Sequence, residues 1–391
     1  MGAEWIYWFQ DVSEHLRVSR RRKRLRRPGK GFEYTGEKYK NVVQRVVSQI
    51  HPERMRLRVS DIIERTPTTS SFHLERMDGP VPPFRPGQYI NVFVEIEGIK
   101  TSRPYSIASP PGSKYLELTV RKKTNGFVSS YLLNTLKIGD ELGSTGPAGS
   151  FYHEPLIDGQ DLIFLAGGSG ITPFMSVIRD AVIHDRPLGM ILLYGSRVPG
   201  DIIYGEEIKE LADKWPRLHY TPVISEPPKG YTGVTGFLSA DLIREHVGDV
   251  SGKTFYICGP SVMYEYCLSE LKKLGVPGRK IRHETYGPAQ AITKEEGWPQ
   301  GLSPEAVFEV EVKGKKTIQA KAGEPLMNSL ERHGITLPAI CRSGACSTCR
   351  IRLLSGKVYM PAHVNLRESD RQNGYIHACM AYPLEKLRIR L

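Results

Sequence analysis

Cys341, Cys346 and Cys349 form a C-x4-C-x2-C run, and Cys379 follows thirty residues later. Four thiolates at this spacing match the ligands of a [2Fe–2S] cluster, with three sulfurs on one tight loop and the fourth on a later strand. The residues between them include Ser343, Gly344, Ala345 and Ser347, small enough for backbone N–H groups to approach the sulfides. Two other readings exist. A zinc site usually pairs two C-x2-C elements, and the chain has one. Two buried disulfides would also use four cysteines. The chain has six cysteines and places four of them in one 39-residue window, which favours the cluster. A one-electron carrier needs a partner that supplies or removes electrons, and the rest of the chain should provide it.

A second constellation is Gly167-Gly168-Ser169-Gly170-Ile171-Thr172-Pro173, directly after the apolar run Asp161–Ala166. A glycine loop between a strand and a helix is where a dinucleotide pyrophosphate lies, on the helix N-terminus. The choice of nicotinamide turns on the residues after the next strand. An acid there serves the ribose 2′-OH of NAD, and an Arg serves the 2′-phosphate of NADP. Ser196-Arg197 stands there with no acid before Asp201, which leans to NADPH.

These motifs must be positioned by elements, and the hydrophobic period changes along the chain. From Arg54 it is two: Met55–Ile63, Ser71–Met77, Gln88–Ile96, Tyr105–Ala108 and Tyr115–Arg121 read as short strands. Pro82-Pro83, Pro110-Pro111-Gly112 and Asn125-Gly126 turn between them, which predicts an antiparallel barrel or sandwich with one helical insert, Ser129–Leu136. From Asp161 strands and helices alternate. Strands at Asp161–Ala166, Leu188–Tyr194, Leu218–Ile224, Thr254–Cys258 and Lys280–Tyr286 predict a doubly wound α/β domain with a parallel sheet. Gly297-Trp298-Pro299 and Gly301 mark a linker. The expected domains are an N-terminal extension over 1–50, a barrel over 51–155, a nicotinamide domain over 156–290, a linker over 291–304, and a cluster domain over 305–391.

The segment from about Val307 to Leu391, with Leu353–Val358 after the third cysteine, resembles the plant-type ferredoxin domain, an α+β β-grasp fold. Arg103-Pro104-Tyr105-Ser106, then Gly126-Phe127-Val128-Ser129, then Gly146–Phe151, make residues 54–290 resemble the ferredoxin-reductase family of flavoproteins. Together they have the flavin–nicotinamide–iron–sulfur order of phthalate dioxygenase reductase-like oxygenase reductases. The resemblance implies that Arg103 holds a flavin phosphate, Tyr105 packs on the isoalloxazine and Ser106 bonds near its N5. A fork-shaped cation and a helix N-terminus both suit phosphate. The bland alternatives are a surface salt bridge for Arg103 and a core ring for Tyr105. The resemblance extends cofactor contact to Pro104, Val120, Lys122, Gly126, Val128 and Ser129. It favours FAD over FMN through Gly126-x-Val128-Ser129 and Gly149–Tyr152. On the nicotinamide side it implies Gly168, Ser169, Gly170, Thr172, Pro173, Ser196, Arg197, Cys258, Gly259, Pro260 and Met263. Glu284-Thr285-Tyr286 resembles the acid-x-aromatic ending whose ring covers the flavin. Ser106, Cys258, Glu284 and Tyr286 are therefore the expected catalytic-site residues. For Cys258 the alternative is an ordinary buried strand cysteine, and Cys267 reads as core.

The expected activity is an NAD(P)H-dependent reductase. Hydride brings two electrons, the cluster accepts one at a time, and the flavin divides the pair. Electrons then leave to a separate protein, such as an oxygenase or demethylase component. The alternative is a relay subunit of a hydrogenase or dehydrogenase complex without turnover of its own. A nucleic-acid-binding sensor would leave complete cofactor motifs idle, so no nucleic acid is expected.

The net charge of +12 is uneven. Residues 1–50 hold twelve Lys/Arg against five Asp/Glu, +7 of that total. Trp5, Tyr7, Trp8 and Phe9, followed by Arg20–Arg27, suit an anionic membrane surface or an acidic partner. A solvated arm is the plain alternative. The aromatic-before-basic order is not that of a signal peptide, no apolar run reaches about 18 residues, and thiolate ligands suit a reducing compartment. A cytoplasmic protein is expected.

Overall fold

The computed structural model describes residues 42–284, 287–288 and 291–391. The expected helix over Glu4–Leu16, the Arg20–Arg27 run and Tyr286 lie outside them. Helix α1 (Val42–Ile50) belongs to a unit separate from residues 51–391. Among the described residues no helix is long and apolar enough to cross a membrane.

Residues 51–391 carry three large sheets. The first contains β1 (Met55–Thr66), β2 (Thr69–Arg76), β3 (Tyr89–Ile96), β4 (Ile99–Ser106), β5 (Tyr115–Arg121) and β6 (Glu141–Ser144), in the order β4-β3-β6-β1-β2-β5. All its pairings are antiparallel. Ile107, just past β4, bridges to Leu118 in β5 and closes the sheet into a barrel. Alternation places Met55, Leu57 and Val59 inside and Arg56 and Arg58 outside, as a half-buried strand requires. Helix α2 (Phe127–Asn134) contributes Val128 and Leu132 to the same core.

Strand β4 begins at Ile99, six residues before the strand expected from the sequence. Lys100-Thr101-Ser102-Arg103 is polar and hides the period. The hairpin is set instead by Glu97 and Gly98, both at positive φ, as a primed two-residue turn requires. Pro104 is accommodated because β4 lies at an end of the hydrogen-bonded order.

The second sheet is parallel and contains β7 (Asp161–Gly167), β8 (Gly189–Ser196), β9 (Leu218–Ile224), β10 (Val234–Thr235), β11 (Thr254–Cys258) and β12 (Ile281–Glu284). Its order is β10-β9-β8-β7-β11-β12. The chain moves outward from β7 through β9 and β10, then crosses back to β11 on the other side of β7. The carboxyl ends of β7 and β11 therefore flank a switch point, where open α/β sheets bind ligands. Helices α3 (Thr172–Ile183), α4 (Gly205–Lys214), α5 (Ala240–Val247) and α6 (Ser261–Lys273) follow the strands. Cys267 is buried in the core between α5, α6 and the sheet.

The third sheet contains β13 (Val307–Val312), β14 (Thr317–Lys321), β15 (Arg350–Ser355), β17 (Tyr375–His377) and β19 (Leu387–Arg390), in the order β14-β13-β19-β15-β17. β13 and β19 run parallel within it. Beside it, β16 (Val358–Tyr359) pairs with β18 (Tyr382–Pro383). Helix α7 (Leu326–Arg332) buries Leu326, Met327 and Leu330 in its core, and α8 (Glu368–Gln372) precedes β17. The segment expected as a linker is anchored on this domain. Trp298 packs edge-on against Tyr359 and Tyr382, and the Tyr359 hydroxyl donates to the Glu296 carbonyl at 2.7 Å.

Candidate functional site

The cysteine loop runs between α7 and β15. Cys341, Cys349 and Cys379 are buried, and Cys346 is partly exposed. The sulfurs pair two and two, Cys341 with Cys346 and Cys349 with Cys379. In the first pair the shared hydrogen bond holds the Cys346 thiol down and pushes Cys341 up. Each pair also acts on the other, Cys346 on Cys349 and Cys341 on Cys379. Two adjoining pairs suit a binuclear centre, with two thiolates for each iron. The donor set therefore fits a [2Fe–2S] cluster. The amides of Ser343 and Cys346 both point at Cys341 Sγ, each at 3.4 Å. Such a turn needs unusual backbone: Arg342 lies at φ 52°, Ser347 at 57° and Gly344 at 78°. At Gly344 a Cβ would also sit about 3.0–3.1 Å from Val364 and Met380.

Strand β4 carries Arg103, Pro104, Tyr105 and Ser106, with Ser106 buried at its end. Burial, then the neighbouring Arg342 guanidinium, lowers Arg103 to about 10. Its Nη1 donates to Thr101 Oγ1 at 2.8 Å and to the Ser102 carbonyl at 2.7 Å. Glu331 and Glu324 offset this only in part, and an anionic ligand would relieve the excess positive charge. Burial pushes the Tyr105 hydroxyl up against the pull of Arg103. At the start of α2, Gly126 is the N-cap and supplies no side-chain cap, which leaves the end of the helix to an anion. Ser129 Oγ accepts from the Lys123 amide at 3.2 Å. Val120 and Val128 face the barrel core, so only their backbones can face a ligand. Lys122 is exposed, and its amide donates to the Thr68 carbonyl at 2.8 Å.

The fold brings together the two motifs expected to hold nicotinamide. Gly168–Ile171 makes a tight turn between β7 and α3, with Pro173 in the first turn of that helix. Thr172 Oγ1 donates to the Ser169 carbonyl at 2.7 Å. Against this turn lie Cys258, Gly259, Pro260 and Met263. A Cβ on Gly170 would stand 2.1 Å from the Cys258 carbonyl, so the close approach admits only glycine. Cys258 itself is fully buried at the end of β11. Ser196 Oγ donates to the Val198 carbonyl at 3.1 Å. Arg197 is exposed and lies 3.8 Å from Glu226, whose amide donates to the Arg197 carbonyl at 2.8 Å.

Tyr89 joins the parts. Burial raises its hydroxyl, and Cys341, Cys346 and Glu284 raise it further. A Cβ on Gly149 would touch the Tyr89 ring at 2.7 Å and lie 3.7 Å from Glu284 Oε1. Sequence reasoning missed Tyr89, Asn91, Glu226, Glu331 and Arg342. Glu226 has a signal of a kind: it is an acid at the end of the third strand, whereas the 2′-OH acceptor is expected after the second. The others act across domains and leave no local pattern.

Three family models match in chain order: an oxidoreductase FAD-binding domain over residues 55–153, an oxidoreductase NAD-binding domain over 164–268, and a 2Fe-2S iron-sulfur cluster binding domain over 310–384. The NADH oxidoreductase HCR of Escherichia coli is 31% identical, across 84% of this chain and 95% of that protein. The glycine betaine monooxygenase reductase subunit of Chromohalobacter salexigens is 28% identical, across 78% and 87%. Phthalate dioxygenase reductase shares the fold over 86% of this chain and 98% of its own, with a TM-score of 0.65 and 20% identity.

Proposed function

The chain belongs to the ferredoxin-reductase-type flavoproteins that carry a C-terminal [2Fe–2S] domain, and from that premise we propose that it takes electrons from NAD(P)H and delivers them to a separate oxygenase-type protein. It is an oxidoreductase with FAD-binding, NAD-binding and cluster-binding domains. When bound, flavin accepts hydride and releases electrons singly, and the cluster carries one electron outward. The observation that carries the proposal is that one strand of the barrel meets both other sites: Tyr89 lies beside Glu284 of the nicotinamide sheet, and Asn91, two residues on, donates to the Ala339 carbonyl just before the first cluster cysteine.

In this reading Arg103 and the N-terminus of α2 hold flavin phosphates. Tyr105 and Ser106 orient the ring system. The Gly168–Pro173 turn receives the nicotinamide pyrophosphate, while Cys258 and Glu284 line the approach. Cys341, Cys346, Cys349 and Cys379 hold the cluster. Arg197 taken alone favours NADPH, but Glu226 beside it offers the 2′-OH of NADH an acceptor and opposes a 2′-phosphate. We therefore propose that this pair, rather than Arg197 alone, sets the preference. The basic N-terminal segment would steer the chain to an acidic partner or an anionic surface.

Steady-state reduction of ferricyanide and of cytochrome c by the isolated chain with NADH and NADPH tests the reading. Turnover with both acceptors is expected. A relay subunit without turnover of its own would reduce neither.

A further inference from the structure

A buried polar chain ties the cysteine loop to the flavin barrel. Thr101 Oγ1, on β4, donates to Glu331 Oε2 at 2.9 Å, and Glu331 lies on α7 of the cluster domain. The other oxygen of Glu331 is ion-paired with Arg342, the residue after the first cluster cysteine. Arg342 also reaches Thr101 Oγ1 at 3.3 Å and Ser102 Oγ at 3.4 Å. Beside it, Asn91 Nδ2 donates to Ser102 Oγ at 2.9 Å and to the Ala339 carbonyl at 2.6 Å. Side chains of Glu331 and Arg342 are 4% and 6% exposed. Arg103 joins the same chain through Thr101.

Neither domain needs this arrangement to fill its own core. A buried carboxylate and guanidinium gain little stability over apolar side chains of the same volume, but such pairs can fix one arrangement among several. Here the carboxylate accepts from one domain with one oxygen and from the other domain with the second. The tie also falls at one place, between the strand with the flavin-side motif and the loop with the cluster ligands. We propose that Glu331 is a positioning residue: it holds the cysteine loop against β4 and so sets how fast electrons from NADH reach the cluster. Asn91 provides the second tie through Ala339. This rests on the electron path given above. The step itself takes one electron from reduced flavin and adds it to the oxidised cluster, with NADH as the reductant.

The test uses the full holoprotein, wild type and Glu331→Gln, Glu331→Asp and Asn91→Ala. Amide hydrogen exchange over residues 339–344 and over β4 reads the tie without turnover. Freeze-quench EPR reads cluster reduction by NADH, and dithionite reduction verifies that the cluster is intact. In Glu331→Gln exchange should rise in both segments. NADH-driven cluster reduction should slow at least about tenfold, since a misplacement near 1 Å can cost about 10²-fold in a positioned step. Flavin bleaching by NADH and the EPR line shape should not change. Glu331→Asp should recover part of the rate. If Glu331→Gln does not retain its cluster, Asn91→Ala, which acts from the barrel side, should show the same exchange and rate changes. Wild-type exchange or a wild-type NADH-driven rate in a cluster-loaded variant overturns the proposal. If the wild-type cluster is reduced by neither NADH nor NADPH, the electron path fails first and takes the proposal with it.

Discussion

At the Arg197–Glu226 pair two side chains of opposite charge compete for one substituent of the nicotinamide nucleotide. Arg197→Ala should weaken NADPH by about 1.5–3 kcal/mol, the scale of a hydrogen bond to a charged group, and leave NADH nearly unchanged. Glu226→Gln should move the ratio the other way, raising kcat/KM for NADPH relative to NADH. Steady-state kinetics with both nucleotides check this, and equal losses for both would remove the pair from 2′-recognition. Gly170 gives a second residue-scale prediction. A methyl group placed 2.1 Å from the Cys258 carbonyl must push the turn away from β11. Gly170→Ala should lower stability by roughly 1–3 kcal/mol, as overpacking does, and weaken nicotinamide binding, which a Tm and a nucleotide titration would record.

Between elements, the barrel and the nicotinamide domain are joined through Glu117 on β5. Its carboxylate accepts from Arg65 at 2.8 Å, Arg179 at 2.7 Å and the Tyr204 hydroxyl at 2.8 Å. Burial would raise this carboxyl, but Arg179, the Tyr204 bond and Arg65 outweigh it and bring it to about 2. A depressed acid stabilises the fold above its unfolded value of about 4.5, and that contribution is lost as pH falls towards about 2. Glu117→Gln should therefore cost about 3–5 kcal/mol at pH 7, the scale for breaking a buried pair, and converge on the wild type as pH falls through that window. Urea midpoints followed by flavin release at a series of pH values would check it. A constant difference at every pH would mean that the carboxylate charge is not involved. Elements of this kind mark what the sequence could and could not reveal. The parallel strands were legible because Leu162–Ala166, Met190–Leu193 and Phe255–Ile257 are short apolar runs. The cluster and the glycine turn were legible because their ligands and donors are close together in the chain. Thr101, Glu117 and Glu331 were not, since each takes its meaning from a partner more than fifty residues away. Trp298 read as linker for the same reason: its aromatic partners lie about sixty and eighty residues on.

At the scale of the whole molecule, electrons must pass through three domains and out to another protein. Deleting residues 1–30 should leave ferricyanide reduction intact, slow delivery to the native acceptor and flatten its salt dependence. Charge steering weakens as the Debye length shrinks from about 10 Å at 0.1 M to about 3 Å at 1 M. Flotation with anionic liposomes would separate a membrane from a protein partner. A truncated chain that matches the full one with its acceptor at low salt, with neither bound to liposomes, would leave the segment without this role. The linear path itself is tested most directly by Cys346→Ala, which removes one of the two thiolates of a pair. Stopped-flow mixing with NADH should bleach the flavin at the wild-type rate, and ferricyanide reduction should persist while cytochrome c reduction collapses. Loss of both activities in a folded, flavin-loaded variant, or cytochrome c reduction at the wild-type rate, would contradict a path that runs from nicotinamide through flavin to the cluster.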